Sequence, residues 1–213
     1  MTKTKRISES TISRLSRYYR ALVQLDKDNY ETVSSKDLAR LEHLTPAQVR
    51  KDLSFFGSFG TRGLGYPVKE LKNRIAKILG VDMEWHVALV GIGNIGSALV
   101  SYKEFFRQGF KVTQLFDNDQ RKIGSNHKGV IIKDVANLTE ELKANHIEIV
   151  VISVPPQQAQ QVVDDVVKAG VKAILNFAPI NLKVPPDVFL RNENMAMELE
   201  HLSFRLVNAD IEV

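Results

Sequence analysis

The clearest chemistry in the 213-residue sequence sits in Gly91-Ile92-Gly93-Asn94-Ile95-Gly96, after an apolar run and before a helical stretch. This G-x-G-x-x-G spacing makes an anion cradle. Gly91 allows a tight turn, Gly93 lets the backbone approach a pyrophosphate, and Gly96 lets the next helix pack close to the strand. That helix offers free N–H groups and the positive end of its dipole to the phosphates. Asp117 ends the following strand, 21 residues after Gly96, where a carboxylate receives the hydroxyls of an adenosine ribose and repels a 2′-phosphate. The expected ligand is therefore NADH or NAD⁺ rather than their phosphorylated forms. Lys122 and nearby Arg121 fall on the adenosine side, although a solvated loop is the better reading of both from sequence. A glycine turn that binds nothing competes with all of this, but strand, motif, helix and acid together favour the dinucleotide.

Ligands of parallel sheets bind at the carboxyl ends of the strands, so two later segments should face the same crevice. Ser153-Val154 follows one apolar run and Asn176-Phe177-Ala178-Pro179 another. Ser153 and Asn176 offer polar contacts near the nicotinamide half, with Val154, Phe177 and Pro179 as an apolar wall; ordinary β–α turns use the same residue types. Catalytic machinery is missing from these positions. None of the five histidines follows a strand end, and no H-E-x-x-H, G-x-S-x-G or metal-ligand spacing occurs. With no cysteine there is no thiol catalysis and no Cys-bound metal, and the chain suits a reducing cytoplasm. A dehydrogenase would also need a substrate domain, for which the residues after Pro186 leave no room. No metal, no membrane span and no enzymatic activity are expected.

A second chemistry is electrostatic. Residues 1–80 hold sixteen Lys and Arg against eight Asp and Glu, whereas the remainder is mildly acidic. A basic first third suits a module that meets a polyanion, or simply a solvated helical domain. Its elements have helical period. Ile12, Leu15, Tyr19, Leu22 and Val23 stripe a helix over 8–25; Ser34 caps a short second helix with Leu38 and Leu41 buried; Thr45-Pro46-Ala47-Gln48 caps a third with Val49, Leu53 and Phe56 buried. Arg50, Lys51 and Ser54 then point outward. Two short helices around Glu42-His43-Leu44 suggest helix-turn-helix geometry, with Ser34, Thr45, Gln48, Arg50, Lys51 and Ser54 toward DNA. The segment 57–67 is rich in glycine and reads as a small hairpin wing with Arg62 at its tip. A plain three-helix bundle fits the same pattern.

From residue 81 the texture changes to β-branched runs at 86–90, 112–116, 129–132, 147–152 and 172–175, alternating with helices at 97–106, 138–144 and 157–169. That order predicts an α/β fold with a Rossmann doubly wound parallel sheet. A helix over 187–208, with Val188, Phe189, Met195, Leu199, Leu202, Leu206 and Val207 apolar, would close the chain and dock on its own domain or on a partner. The expected division is a DNA-binding domain over 1–80, a nucleotide domain over 81–186 and a terminal helix over 187–213.

Four blocks carry a resemblance to a known family: Ile12-Ser-Arg-Leu15 with Tyr18-Tyr-Arg20, the stretch from Gln48 to Tyr66, the glycine motif, and Asn176-Phe-Ala-Pro179. Over its full length the chain resembles the Rex redox-sensing transcriptional repressors. The resemblance implies a homodimeric winged helix-turn-helix repressor that binds a palindromic operator when NADH is scarce and releases it when NADH rises. It also implies that the last helix is swapped between subunits. In many relatives an acid early in that helix exchanges partners, one aligning with Arg20 and the other with Tyr102; here Asn194 stands in its place. The resemblance also brings Tyr102 to the cofactor. Two other readings stay open on residues alone, a small NAD-dependent oxidoreductase and a nucleotide-binding module whose basic domain meets a protein.

Overall fold

The computed structural model describes residues 7–60 and 64–211. The chain forms two compact units that meet in sequence at Met83 and Glu84.

In the first unit α1 (Glu9–Lys27), β1 (Thr32–Val33), α2 (Ser35–Leu41), α3 (Pro46–Ser54), β2 (Tyr66–Pro67) and α4 (Val68–Leu79) follow in order. Ser8, Ser34 and Thr45 cap the first three helices, their hydroxyls accepting from the N–H groups of Thr11, Asp37 and Gln48. Leu15, Tyr18, Leu22, Leu38, Val49, Leu53, Leu71 and Ile75 form the core. The buried stripe of α1 is turned from the expected one, taking Tyr18 in place of Tyr19 and leaving Ile12 exposed. Tyr18 wins because its hydroxyl reaches a buried acceptor, Asp52, at 2.8 Å. Leu41 is also exposed, against expectation: after α2 the backbone turns through His43 at φ 52°, and Leu44 is laid on the core instead.

Helix α4 was not anticipated, although Val68, Leu71 and Ile75 repeat at helical spacing and Gly80 ends it in a left-handed conformation. The wing also differs from a local hairpin. Strand β2 pairs antiparallel with β1, Val33 opposite Tyr66, so the strands of the wing come from either side of the helix pair. Arg74 of α4 holds the segment before β2, donating to the Ser58 carbonyl at 2.8 Å and lying 4.2 Å over the Phe59 ring. Arg62 lies outside the described residues.

In the second unit β3 (Trp85–Val90), α5 (Asn94–Val100), α6 (Lys103–Arg107), β4 (Phe110–Asp117), β5 (Asn126–His127), β6 (Val130–Asp134), α7 (Leu138–Ala144), β7 (Ile149–Ile152), α8 (Pro156–Lys168), β8 (Ala173–Asn176), β9 (Phe189–Asn192) and α9 (Met195–Val207) follow. Seven strands lie in the order β5-β6-β4-β3-β7-β8-β9, with β5 antiparallel to β6 and the others parallel. The order reverses between β3 and β7, which is the switch point where such sheets open a crevice. Alternation along β3 feeds two cores: Ala88 and Val90 pack with Val163 and Val166 of α8, Val87 and Leu89 with Leu115 and Val151.

Two expected elements are corrected here. The helix over 97–106 is two helices, α5 and α6, broken at Ser101-Tyr102. The helix over 187–208 begins only at Met195, because β9 first adds to the sheet beside β8, with Val188 buried in the core. Residues 189–192 are therefore sheet, and the boundary expected at 186 falls inside this unit. The apolar side chains of α9, Leu199, Leu202, Leu206 and Val207 among them, are exposed.

Two residues of α4 test the core assignment of the first unit. Ile75 is fully buried and Ile78 about a third exposed. Ile75→Ala should cost about 2–5 kcal/mol of stability and Ile78→Ala well under half as much, read from urea denaturation midpoints at constant slope. Equal effects would mean that α4 packs by another face.

Candidate functional site

The crevice at the switch point is a cleft of about 1030 Å³, ample for a dinucleotide. Gly91, Gly93, Asn94, Ile95, Asp117, Lys122, Ser153, Val154, Phe177 and Pro179, all expected to meet the cofactor, line it. Each glycine has a separate reason. A Cβ on Gly91, whose φ is 92°, would lie 2.7 Å from the Ser153 carbonyl oxygen. One on Gly96 would meet the Gly91 carbonyl at 2.0 Å, so the helix could not approach the strand. One on Gly93 would meet no protein atom within 4 Å. The chain's own packing therefore does not call for glycine at 93, whereas close passage of a ligand over the backbone does.

Asp117 is almost fully buried at the end of β4. Its carboxylate accepts from the N–H groups of Ile92 at 2.7 Å and Asp119 at 2.9 Å, and from the Lys122 ammonium at 3.1 Å. Burial by itself would raise its pKa; the donors of Asp119, Ile92 and Lys122 outweigh that and hold it below the ordinary carboxylate value. Lys122 also donates to the Ile92 carbonyl at 3.0 Å. Both polar groups of the Ile92 residue are thus tied to the loop after β4, which fixes the turn between Gly91 and Gly93. Beside this pair, Asp119 holds Arg121 and its carboxyl is pulled down to about 2, chiefly by that hydrogen bond.

Several of the expected contact residues are engaged within the chain itself. Ile92 puts its side chain into the core and spends its N–H on Asp117. Gly96 is buried, in keeping with the packing role its place in the motif assigns. Asn176 is fully buried: its carbonyl accepts from Ala178 N–H at 2.8 Å and its amide donates to the Ala178 carbonyl and to Asn192, both at 2.9 Å. With its hydrogen-bonding groups turned onto the chain it shapes the loop of Phe177–Pro179, and Ala178 is buried beneath. Tyr102 stands beyond the end of α5, exposed and edge-on to Phe105 at 5.2 Å, away from the cleft lining. Sequence reasoning missed Asn118, Val135, Ala136 and the first turns of α8 at Gln157, Gln158 and Gln161, which also line the cleft. Their signal was available, since Val135 and Ala136 follow the carboxyl end of β6.

A second surface lies on the first unit, a groove of about 610 Å³ that includes Ser34, Ser35, Arg50, Ser54, Ser58 and Tyr66. Arg50 and Lys51 are exposed on α3, Arg50 donating to the Ser35 hydroxyl at 3.2 Å. The hydroxyls of Ser34 and Ser54 are already engaged, donating to Asp37 at 2.6 Å and to the Lys51 carbonyl at 2.7 Å, so they can only accept. Thr45 caps α3 and Gln48 bonds Asp52 at 2.8 Å. Arg20 is exposed on α1. Asn194 caps α9, its side chain accepting from Ala196 N–H at 3.0 Å.

Comparison with known proteins agrees with this division. Residues 6–54 match a family model described as a putative DNA-binding protein N-terminus, and residues 82–180 one described as a CoA binding domain. The chain is 52% identical to the redox-sensing transcriptional repressor Rex of Desulfitobacterium hafniense, over 96% of this chain and 97% of that protein. It is 48% identical to its counterpart from Desulforamulus reducens, with the same coverage. Among solved structures it is similar to RSP, a Rex-family repressor, in complex with β-NAD⁺ and operator DNA: the TM-score is 0.93 at 38% identity, covering 97% of this chain and 95% of that one. The complex of RSP with β-NADH gives 0.88 at 37% identity, covering 96% of both.

The glycines separate a ligand role from a packing role. Gly93→Ala should leave thermal stability within a few degrees of the parent yet weaken NADH binding at least about tenfold, as a methyl group intrudes on the pyrophosphate. Gly96→Ala should lower stability itself, through the clash with the Gly91 carbonyl. Calorimetry and thermal unfolding on both variants check this; normal NADH affinity in Gly93→Ala would remove the pyrophosphate from this loop.

Proposed function

Because the chain belongs to the Rex family of redox-sensing transcriptional repressors, we propose that it is a DNA-binding repressor governed by the NADH/NAD⁺ ratio, holding its operator when NADH is low and releasing it when NADH binds. It is not an enzyme. The observation that carries the reading is the cleft at the β3–β7 switch point, whose Gly93 leaves room for a ligand and for nothing in the chain. NADH and NAD⁺ would occupy it along Gly91, Gly93, Asn94 and Ile95, with Asp117 and Lys122 toward the adenosine ribose and Ser153, Val154, Phe177 and Pro179 toward the nicotinamide. The polar groups of Asp117 are largely spent on the chain, so its direct part with the ribose is limited to its remaining acceptor capacity and its charge.

The first unit supplies the operator surface. The exposed cations Arg50 and Lys51 of α3 would enter a major groove, and Arg62 the phosphate backbone or minor groove. A palindromic double-stranded operator and a homodimer go together, since one recognition helix per protomer needs two half-sites. The exposed apolar side chains of α9 suit the subunit contact. We place the protein in the cytoplasm, in keeping with a repressor; no helix among the described residues is long and apolar enough to cross a membrane.

Three substitutions examine the DNA face. Arg50→Ala and Lys51→Ala should each cost about 1–3 kcal/mol of operator affinity if they read base edges, and Arg62→Ala should chiefly flatten the salt dependence. Fluorescence anisotropy over a salt series measures all three; unchanged affinity in every case would remove α3 and the wing from DNA.

The redox response has its own test in Asn194→Asp. The substitution keeps a good cap for α9 and places a charge at the first turn, where the dipole favours it. It also restores the acid that the family uses in its switch. NADH should then release DNA more completely, or at lower concentration, than in the parent chain at the same salt. Identical midpoints and amplitudes would take Asn194 out of the switch.

A further inference from the structure

Asp52 is a charged side chain that neither the cofactor cleft nor the operator contacts above employ. It lies on α3, fully buried, on the side of the helix that faces α1. Arg14 of α1 grips it with two donors, at 2.6 and 2.8 Å, and Tyr18 adds a third at 2.8 Å. A fourth comes from its own helix: Nε2 of Gln48 donates to Oδ1 at 2.8 Å. Burial opposes the charge, but these donors outweigh it and hold the Asp52 carboxyl below the ordinary range. The carboxylate is therefore ionised and can only accept.

That restriction decides how Gln48 is presented. A side-chain amide has two edges, and at a neutral neighbour either can be turned inward. An ionised carboxylate repels the amide oxygen and accepts only from the nitrogen, so Nε2 faces Asp52 and Oε1 is turned away from it. Gln48 stands three residues past the Thr45 cap, in the first turn of α3, which is the part of a recognition helix that reaches base edges. Its side chain is partly buried and bonds Asp52 rather than folding back on the cap.

Resting on the reading of α3 as the recognition helix, we propose that Asp52 is a specificity-determining positioning residue, which locks the amide of Gln48 so that it reads adenine and rejects guanine in the operator. Oε1 accepts from the N6 amino group of adenine, and the Nε2 hydrogen not used by Asp52 donates to N7. Guanine offers O6 at the same place, an acceptor against an acceptor. Cytosine, with a single donor, ranks next, and thymine is rejected with guanine. Asp52 never touches the DNA; it acts through Gln48.

The test begins with the full-length chain selecting from a pool of randomised duplexes, and continues with anisotropy titrations on single-base variants of the selected duplex at one salt concentration. The parent should show one position in each half-site where adenine is favoured over guanine by about tenfold or more. Gln48→Ala should lose that preference at that position alone. Asp52→Asn should weaken that preference at the same position, because one asparagine oxygen cannot hold the donors of Arg14, Tyr18 and Gln48 together and the neutral amide no longer forbids Oε1 from turning inward, while the other positions keep their preferences. A purely structural role for Asp52 predicts something different, an equal loss on every duplex with discrimination intact, and that result would overturn the proposal. So would Gln48→Ala losing a preference for guanine or thymine, or changing no position. If Asp52→Asn does not fold, as seen by circular dichroism, the Gln48→Ala arm decides alone through the base whose preference it loses. Failure of the parent to bind any duplex would overturn the repressor reading itself, and with it this one.

Discussion

A carboxylate taken out of water must collect donors, and Asp117 does so by drawing the glycine loop onto the end of β4. Its bond to the Ile92 N–H is the constraint on which the cleft depends. Without it, a turn containing Gly91 and Gly93 would carry the conformational freedom that glycine brings, and the loop would have to be ordered at the cost of ligand affinity. With it, and with Lys122 on the Ile92 carbonyl, the turn is set before any ligand arrives. Preorganisation of this kind raises affinity by removing an ordering cost rather than by adding contacts.

The first unit uses the same physics for another purpose. Asp52 is as deeply buried, yet its donors are side chains, three of the four bonds coming from the neighbouring helix α1, rather than backbone N–H groups. A buried ion pair is weak evidence for stability, because desolvation offsets most of its attraction, but it is directional in a way that apolar packing is not. The fork of Arg14 admits only a narrow range of positions for α3 against α1. Leu15, Tyr18, Val49 and Leu53 could pack in several slightly different registers; the three bonds from Arg14 and Tyr18 to Asp52 select one.

Much of this was legible in the sequence where one local rule was enough. The capping hydroxyls at Ser34 and Thr45, the G-x-G-x-x-G turn and the alternating strands each depend on a few adjacent residues. What escaped depended on residues far apart. The pairing of β2 with β1 joins segments more than thirty residues apart, so the glycine stretch before it looked like a self-contained hairpin. The apolar run at 188–190 carries no periodicity long enough to separate strand from helix, and only the open edge of β8 decides for a strand. Asn176 had the right place at a strand end, but its role followed from partners at 178 and 192 that spacing alone does not reveal. Asp52 looked like one more acid in a basic domain. Its burial is matched by Arg14, 38 residues earlier in the chain, a pairing that no local spacing reveals.

Asn176 also shows why a ligand in the cleft and the helix α9 are not independent. The loop of Phe177–Pro179, two of whose residues line the cleft, is folded around the Asn176 amide. The same amide donates to Asn192, and the main-chain carbonyl of Asn176 accepts from Glu193 N–H at 2.8 Å. Asn194 then starts α9. The apolar wall of the cleft and the residues just before α9 are therefore joined through one residue, by the buried amide of Asn176 and by its main-chain carbonyl. A ligand shifts an equilibrium only by binding one state better than another. NADH and NAD⁺ differ at the nicotinamide ring, in charge and in shape, and on the proposed function that ring would lie against the wall of Phe177 and Pro179. The difference between the two ligands would then fall on a segment bonded through Asn176 to the residues just before α9, a helix whose exposed apolar side chains suit a contact with another subunit.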